Sequence, residues 1–323
     1  MRAVVITRPG GPEVLEVAEV PDPHPAAGEL LLDVAAAGVN RADLLQRAGH
    51  YPPPPGAPAW PGLEVAGVVR ATGPGVTGWA PGDRAAALLA GGGYAEQVVV
   101  PADLALAVPQ EVSDEEAAAL PEALATVWSN LQEARALPGE TLLVRGGSGG
   151  VGTAAVQLAA ALGLRVLATA GGPDRVARVA ALGAEAFDHR ADGLVDRVLA
   201  ATDGRGVDVV LDVLGAGGLE ENVALLARRG RLVVIGLQHG RRGTLDLGAL
   251  LARSGSILTT TLRSRPHDEK ARIMAEVRER VWPLVAQRRV RGVVHATLPL
   301  ADAADAHRLL DSGEVFGKVV LRP

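Results

Sequence analysis

The sequence predicts an α/β chain in which a doubly wound parallel sheet domain is inserted into a β-rich domain. Three observations predict it. The first third breaks into short β-branched or alternating runs between Gly/Pro turns; strands and helices alternate from about residue 123; and a glycine-rich turn leads the first of those strands into a helix.

In the N-terminal part the candidate strands are residues 3–6, 15–20, 30–36, 64–71 and 95–100, with turns at Pro9-Gly-Gly-Pro12, Pro21–Pro25, Gly73-Pro-Gly75 and Pro81-Gly-Asp83. A helix over 41–47 follows Asn40, a residue type that caps helix starts. Tyr51-Pro-Pro-Pro-Pro-Gly56 fits neither a helix nor a central strand. Ser113 with Glu116 forms the spacing of a capping box, and a second helix covers 123–135. Strands then fall at 142–144, 165–169, 207–212, 231–235 and 256–261, with helices at 153–162, 173–182, 194–201 and 219–228 between them. Such alternation implies right-handed crossovers and a parallel sheet. A helix over 269–287, another over 300–310 and a strand over 317–321 close the chain. The domains are therefore expected at 1–122 with 266–323, and at 123–265.

With 323 residues, 48% of them hydrophobic, the chain can bury two cores, and aromatics at 2% leave the packing to Ala, Val and Leu. A net charge of −5 and the absence of a basic stripe argue against a nucleic-acid partner. No cysteine is present, which excludes disulfides, thiolate nucleophiles and Cys-ligated zinc. No apolar stretch is long enough to span a bilayer, so a cytoplasmic location is expected.

The sharpest motif is Leu142-Leu-Val-Arg-Gly-Gly-Ser-Gly-Gly-Val-Gly152, running from strand to helix. Gly147-x-Gly149-x-x-Gly152 meets the dinucleotide fingerprint in the strand–turn–helix context it requires. Glycines allow the tight turn and close approach of the pyrophosphate, and the helix start offers N–H groups and a positive dipole end. The second strand ends in Ala170-Gly171-Gly172, without the acid that would hold a ribose hydroxyl, and Arg175 follows. This favours NADPH over NADH. Expected cofactor residues are Gly147, Ser148, Gly149, Gly150, Val151 and Gly152 of the loop, with Gly171, Gly172 and Arg175 at the second strand's end. Gly215 and Gly236 join them at the carboxyl ends of two later strands.

Together with this loop, Gly38-Val-Asn-Arg-Ala-Asp43, Tyr51–Gly56, Pro61-Gly-Leu-Glu-Val-Ala-Gly67, Pro81-Gly-Asp83, Val207–Gly215 and Gly317-Lys-Val-Val-Leu321 resemble the zinc-free quinone oxidoreductase branch, which includes zeta-crystallin, of the medium-chain dehydrogenase/reductase superfamily. The resemblance implies a Rossmann-type domain plus a GroES-like catalytic domain. Zinc-dependent relatives carry Cys and His where this chain has Asn40 and Leu63, so no metal is expected. It also implies Asn40, Tyr51 and Thr126 at the nicotinamide and acceptor, with His189 and Lys318 near the cofactor. Relatives often have Ser, Lys and Tyr where this chain has Gly172, Arg175 and His189. The implied activity is NADPH-dependent reduction of a quinone or similar conjugated carbonyl, in a homodimer paired through the strand at 256–261. Two alternatives stay open: an NADPH-dependent enone or enoyl-thioester reductase, and a non-enzymatic NADPH-binding protein.

Overall fold

The computed structural model describes residues 1–323 and resolves two compact units, Met1–Ala125 with Arg263–Pro323, and Thr126–Leu262.

In the first unit, β1 (Arg2–Ile6) and β2 (Leu15–Glu19) form an antiparallel hairpin. The main sheet uses β3 (Glu29–Gly38), β4 (Glu64–Thr72), β5 (Arg84–Leu88), β6 (Gln97–Pro101) and β7 (Ala105–Ala107). The strand β3 is central, pairing antiparallel with both β4 and β6, and its register with β4 shifts twice. Leu30, Leu32, Ala36, Val65, Ala66, Ala85, Ala87 and Val100 fill the interior, each at most 1% exposed. Two short helices frame this sheet: α1 (Arg41–Arg47), which leaves the end of β3, and α2 (Asp114–Ala118). Ser113 Oγ accepts from the Glu116 N–H at 3.2 Å, so the N-cap half of the expected capping box forms, while the Glu116 carboxylate pairs with Arg288 instead, and the helix is only one turn long.

The helix α3 (Pro121–Glu133) leads into the second unit. Its strands are β8 (Thr141–Val144), β9 (Arg165–Ala170), β10 (Glu185–Asp188), β11 (Val207–Asp212), β12 (Leu226–Val234) and β13 (Ser256–Thr259). Their spatial order is β10-β9-β8-β11-β12-β13 and every pairing is parallel. The chain works outward in one direction, returns to the centre and works outward in the other: the doubly wound order of a Rossmann-type sheet. Between the strands run α4 (Gly150–Ala161), α5 (Pro173–Ala180), α6 (Leu194–Ala201), α7 (Leu219–Leu225) and α8 (Leu247–Arg253). Leu143, Leu167, Val207, Val210 and Leu232 pack with Leu194, Val198 and Leu225 of the helices. Alanines at 154, 155 and 159 let α4 lie close to the sheet.

The order reverses between β8 and β11, and ligands of open α/β sheets bind where it does, beyond the strands' carboxyl ends.

Two sequence expectations change here. The sheet gains a sixth strand, β10, and the helix expected over 219–228 stops at Leu225, where β12 begins. Val207 pairs with Leu226 across a register irregularity, so Leu226-Ala227 extends the sheet rather than the helix.

The tail completes the first unit. The stretch expected as one helix is α9 (His267–Glu276), a π-turn at Val277–Val281 and α10 (Trp282–Ala286). Then follow β14 (Val294–Pro299), α11 (Ala303–Asp311) and β15 (Lys318–Arg322), with β15 pairing antiparallel with the end of β3. No helix is long and apolar enough to cross a membrane.

Candidate active site

In the second unit, Gly146 to Gly149 turn the chain from β8 into α4. Thr169 of β9, 2% exposed, ties this turn down: its Oγ1 accepts from the Gly146 N–H at 3.1 Å and its carbonyl from the Gly147 N–H at 2.8 Å. A Cβ on Gly152 would lie 2.1 Å from the Gly146 carbonyl oxygen, and one on Gly147 would lie 2.9 Å from Ala168 Cβ. Both glycines are demanded by the fold itself. Gly149 differs, because its Cβ would meet nothing nearer than 3.7 Å. This is the space a pyrophosphate needs, and the start of α4 above it has no side-chain cap and no acidic residue in its first turn. Gly150, Val151 and Gly152 form that turn, with Ser148 just before it. The loop therefore fits a dinucleotide.

Gly171 and Gly172 follow β9, Gly172 at φ +86° as the N-cap of α5, and Arg175 lies half-buried in that helix's first turn. Asp188 closes this corner, its Oδ1 accepting from the N–H groups of Gly172 (3.0 Å) and Arg190 (2.9 Å); these bonds hold its carboxyl below the usual range. His189 follows it, and desolvation of its ring, partly offset by Asp188, holds it below its ordinary value.

Gly215 and Gly236 have a structural explanation. A Cβ on Gly215 would lie 2.8 Å from the Gly240 carbonyl oxygen, and one on Gly236 would lie 2.8 Å from that of Val213. The loops after β11 and β12 interlock here through backbone bonds from Gln238 to Val213 and from Ala216 to Gly240. Asp212, fully buried, shapes the first loop by accepting from Leu214 and Gly215.

In the first unit, Asn40 caps α1 and is fixed twice. Its backbone N–H donates to Asp43 Oδ2 at 2.8 Å. Its side-chain Nδ2 donates to Glu64 Oε1 at 2.9 Å, and its Oδ1 accepts from Lys318 Nζ. Because an ammonium only donates and a carboxylate only accepts, the amide has one allowed orientation. Lys318, expected near the cofactor, lies at the start of β15, 4% exposed, its Nζ 2.5 Å from Glu64 Oε1 and 3.8 Å from Glu122 Oε2. Burial pulls the Lys318 ammonium down, but the Glu64 and Glu122 carboxylates more than offset this and hold it above its ordinary value. Glu64 Oε2 also accepts from the Glu122 N–H at the start of α3 (3.0 Å). A positive helix end, an ammonium and an amide together permit a fully buried carboxylate.

Behind Asn40 runs a second polar chain. Arg47 Nη1 donates to His307 Nδ1 at 3.2 Å, which leaves the proton of His307 on Nε2, facing Tyr94 Oη at 3.1 Å. Tyr94 in turn donates to Asp43 Oδ2 at 3.3 Å, and Asp43 Oδ1 accepts from the Gly62 N–H at 2.9 Å. Burial pushes Asp43 up to about 6 and, with Arg47 adjacent, His307 down to about 3.

Tyr51 is half-buried, with the Arg263 guanidinium over its ring at 5.4 Å, and burial raises its phenol above its ordinary value. Thr126 is 8% exposed within α3, its carbonyl accepting from Asn130 Nδ2 at 2.7 Å. Sequence reasoning missed Glu64, Tyr94, Thr169, Arg190 and His307. Glu64 and Thr169 stood inside motifs or strands already singled out.

Comparison with known proteins decides the family. The chain is 34% identical over 331 aligned residues to a quinone oxidoreductase of Rattus norvegicus, covering 99% of this chain and 97% of that protein. The chain belongs to the quinone oxidoreductase branch of the medium-chain dehydrogenase/reductase superfamily. Within it, residues 26–110 match the alcohol dehydrogenase GroES-like domain and residues 150–279 match the family described as zinc-binding dehydrogenase. A phthioceranic/hydroxyphthioceranic acid synthase of Mycobacterium tuberculosis is 36% identical over 98% of this chain, a match that spans 15% of that larger protein. Among solved structures, the quinone oxidoreductase of Thermus thermophilus, described also in complex with NADPH, is 39% identical with a TM-score of 0.85. A structure described as an NAD-dependent alcohol dehydrogenase is 36% identical with a TM-score of 0.90. Both cover 100% of this chain and of theirs.

Proposed function

We propose that this chain is an NADPH:quinone oxidoreductase that works without zinc. The observation that carries the proposal is the amide of Asn40, held in one orientation by Lys318 and Glu64. Zinc-dependent members of the superfamily carry Cys and His at the positions of Asn40 and Leu63. Here the amide is already engaged, Leu63 is a buried apolar side chain, and no group of three His, Cys, Asp or Glu side chains could hold a metal. These residues do not fit a zinc ion.

The glycine loop with the start of α4 holds the nucleotide diphosphate. Bound NADPH supplies a hydride. The chain's own groups bind and orient the acceptor. Lys318, held protonated, draws electron density toward Asn40 Oδ1; one Nδ2–H goes to Glu64, and the other, which has only the Gly38 carbonyl at 3.5 Å, is the donor left for an acceptor carbonyl. An ammonium held above its ordinary value is a poor acid at neutral pH, so the one proton that, with the hydride, completes the reduced acceptor comes from solvent. A quinone is electrophilic enough to need no stronger acid. Tyr51, with its phenol also raised, contributes a ring face and a neutral hydroxyl, and Thr126 a hydroxyl.

The likeness to the mycobacterial synthase favours a second reading, reduction of an enoyl thioester. Purified protein assayed with NADPH against quinones, enones and enoyl thioesters separates the two. Quinone turnover is expected, with no stoichiometric zinc by elemental analysis; activity confined to the thioester refutes the first reading.

A homodimer is part of the proposal. The strand β13 is an edge with one neighbour, and the adjacent α8 exposes Leu247 (69%) and Leu251 (80%). A bare edge beside apolar side chains is suited to pairing with a second copy.

A further inference from the structure

We infer that Arg190 is the residue that recognises the 2′-phosphate of NADPH, with Gly171 present to leave room for it. The inference rests on the cofactor reading above and deepens it by assigning the nucleotide preference to a group outside the glycine fingerprint.

The geometry is local to the corner between β9 and β10. The Arg190 guanidinium lies across the two glycines that end β9: its Nε and Cζ are 2.9 Å and 3.2 Å from where a Cβ on Gly171 would stand, and its Nη1 is 3.6 Å from the same point on Gly172. Any side chain at 171 would displace it. The backbone that carries Arg190 is pinned, because Asp188 Oδ1 accepts from the N–H groups of both Arg190 and Gly172. That bond sets the guanidinium beside the strand end and at the same time occupies an oxygen of the nearest carboxylate. An acid at this point would otherwise select for an unphosphorylated ribose. The Arg190 side chain is exposed and makes no ion pair, so its fork of donors is available to a dianion. His189 stands on the other side of the same glycine, its Nε2 3.0 Å from the Gly171 position. Held below its ordinary value by desolvation, it is neutral at pH 7 and offers a hydrogen bond rather than a charge. The compensating charge therefore falls to Arg190. Among the other cations of this corner, Arg197 is turned to the Asp188 and Ala191 carbonyls, and Arg175, in the first turn of α5, is not among the atoms nearest the Gly171 or Gly172 position.

The test is a set of binding titrations of the intact protein with NADPH and NADH, followed by nicotinamide fluorescence, alongside 2′-phospho-ADP-ribose and ADP-ribose. Arg190→Met should raise the Kd for NADPH and for 2′-phospho-ADP-ribose by about 10- to 100-fold, the loss of a charge-assisted bond, and leave NADH and ADP-ribose within about 2-fold. Arg190→Lys, with charge but no fork, should fall between. Gly171→Ala should reproduce the selective loss by displacing the guanidinium. Because the pair is exposed, added salt should weaken NADPH binding more in the wild type than in Arg190→Met. An equal change for both nucleotides in Arg190→Met, or a selective loss in Arg175→Met alone, overturns the inference while leaving NADPH dependence standing. Wild-type protein that binds NADH as tightly as NADPH removes the cofactor reading itself, and the inference with it.

Discussion

Replacing Lys318 by methionine isolates the buried ion pair beneath Asn40. Methionine keeps most of the apolar stem, so the change is chiefly electrostatic. Lys318 and Glu64 have side chains 4% and 0% exposed, which excludes solvent as a substitute partner. Removing one member of such a pair typically costs about 3–5 kcal/mol. Glu64 keeps two neutral donors, Asn40 Nδ2 and the Glu122 N–H, so the low end applies. A ceiling comes from protonation: a glutamate with an ordinary pKa near ~4.3 can take up a proton at pH 7 for about 3.7 kcal/mol. The expected loss is therefore about 3 kcal/mol at pH 7.

The sign of its pH dependence follows. In the variant the stranded carboxylate binds its proton more tightly folded than unfolded, so the deficit is largest at high pH. It shrinks by up to about 1.4 kcal/mol per unit as the pH falls toward 5. Urea unfolding of wild type, Lys318→Met and Lys318→Met/Glu64→Gln at pH 5, 6 and 7.5 measures this, and the double variant should recover most of the loss because no charge is stranded. A deficit below about 1 kcal/mol at pH 7.5, a deficit independent of pH, or a double variant no more stable than the single one would refute the reasoning.

Other outcomes follow from the same geometry. Gly149→Ala should keep wild-type stability yet weaken nucleotide binding at least about tenfold, whereas Gly152→Ala, whose Cβ would strike the Gly146 carbonyl, should lose both; thermal melts beside NADPH titrations distinguish them. His307 is held near pKa 3, so the unfolded chain takes up a proton that the native one refuses, and wild type loses stability as the pH falls below about 6.5. His307→Gln removes that term, and the stability gap between the two proteins, measured by urea titration, should narrow toward pH 4. Leu251→Asp should shift a dimer toward monomer in light scattering without lowering activity per folded chain; an unchanged mass would remove α8 from the interface.

The sequence exposed whatever local chemistry makes visible. The glycine loop could be read because its strand, turn and helix are contiguous, and the parallel sheet because its central strands are short, mostly apolar runs buried on both faces. The edge strand β10 could not. Glu185-Ala-Phe-Asp188 is four residues long and nowhere fully buried, so it carries no hydrophobic signal. Its absence from the reading also hid Arg190, which looks like a loop cation until Asp188 is seen to anchor it. Gly215 and Gly236 sat at the expected strand ends, but the physical demand on them comes from two loops packing against each other, a contact no single segment reveals. Tyr94 and His307 lie 213 residues apart and meet only in the folded unit. On the helix Ala303–Asp311, a histidine among Ala, Asp and Arg reads as surface, and it is fully buried.

Asn40 is where the two polar systems of the first unit converge, one on its backbone N–H through Asp43 and one on its amide through Lys318 and Glu64. That convergence separates shape from hydrogen-bond direction as the source of its role. Asn40→Asp is nearly isosteric and keeps an oxygen for Lys318, but it turns the donor that faces Glu64 at 2.9 Å into a second carboxylate oxygen. Two carboxylates so close share one proton, with one pKa strongly raised. The variant should therefore be impaired at pH 8, by about tenfold or more in kcat/KM, and recover as the pH falls and protonation removes the second carboxylate charge and returns an O–H donor to position 40. Asn40→Ala has no proton to share and should stay impaired across the range. Initial rates at fixed NADPH from pH 5.5 to 8.5 compare them, with wild type as the reference for any titration of the acceptor. Parallel pH profiles for Asn40→Asp and Asn40→Ala would mean that filling the space matters and the amide's direction does not, and the polarised-donor account of the acceptor site would fall.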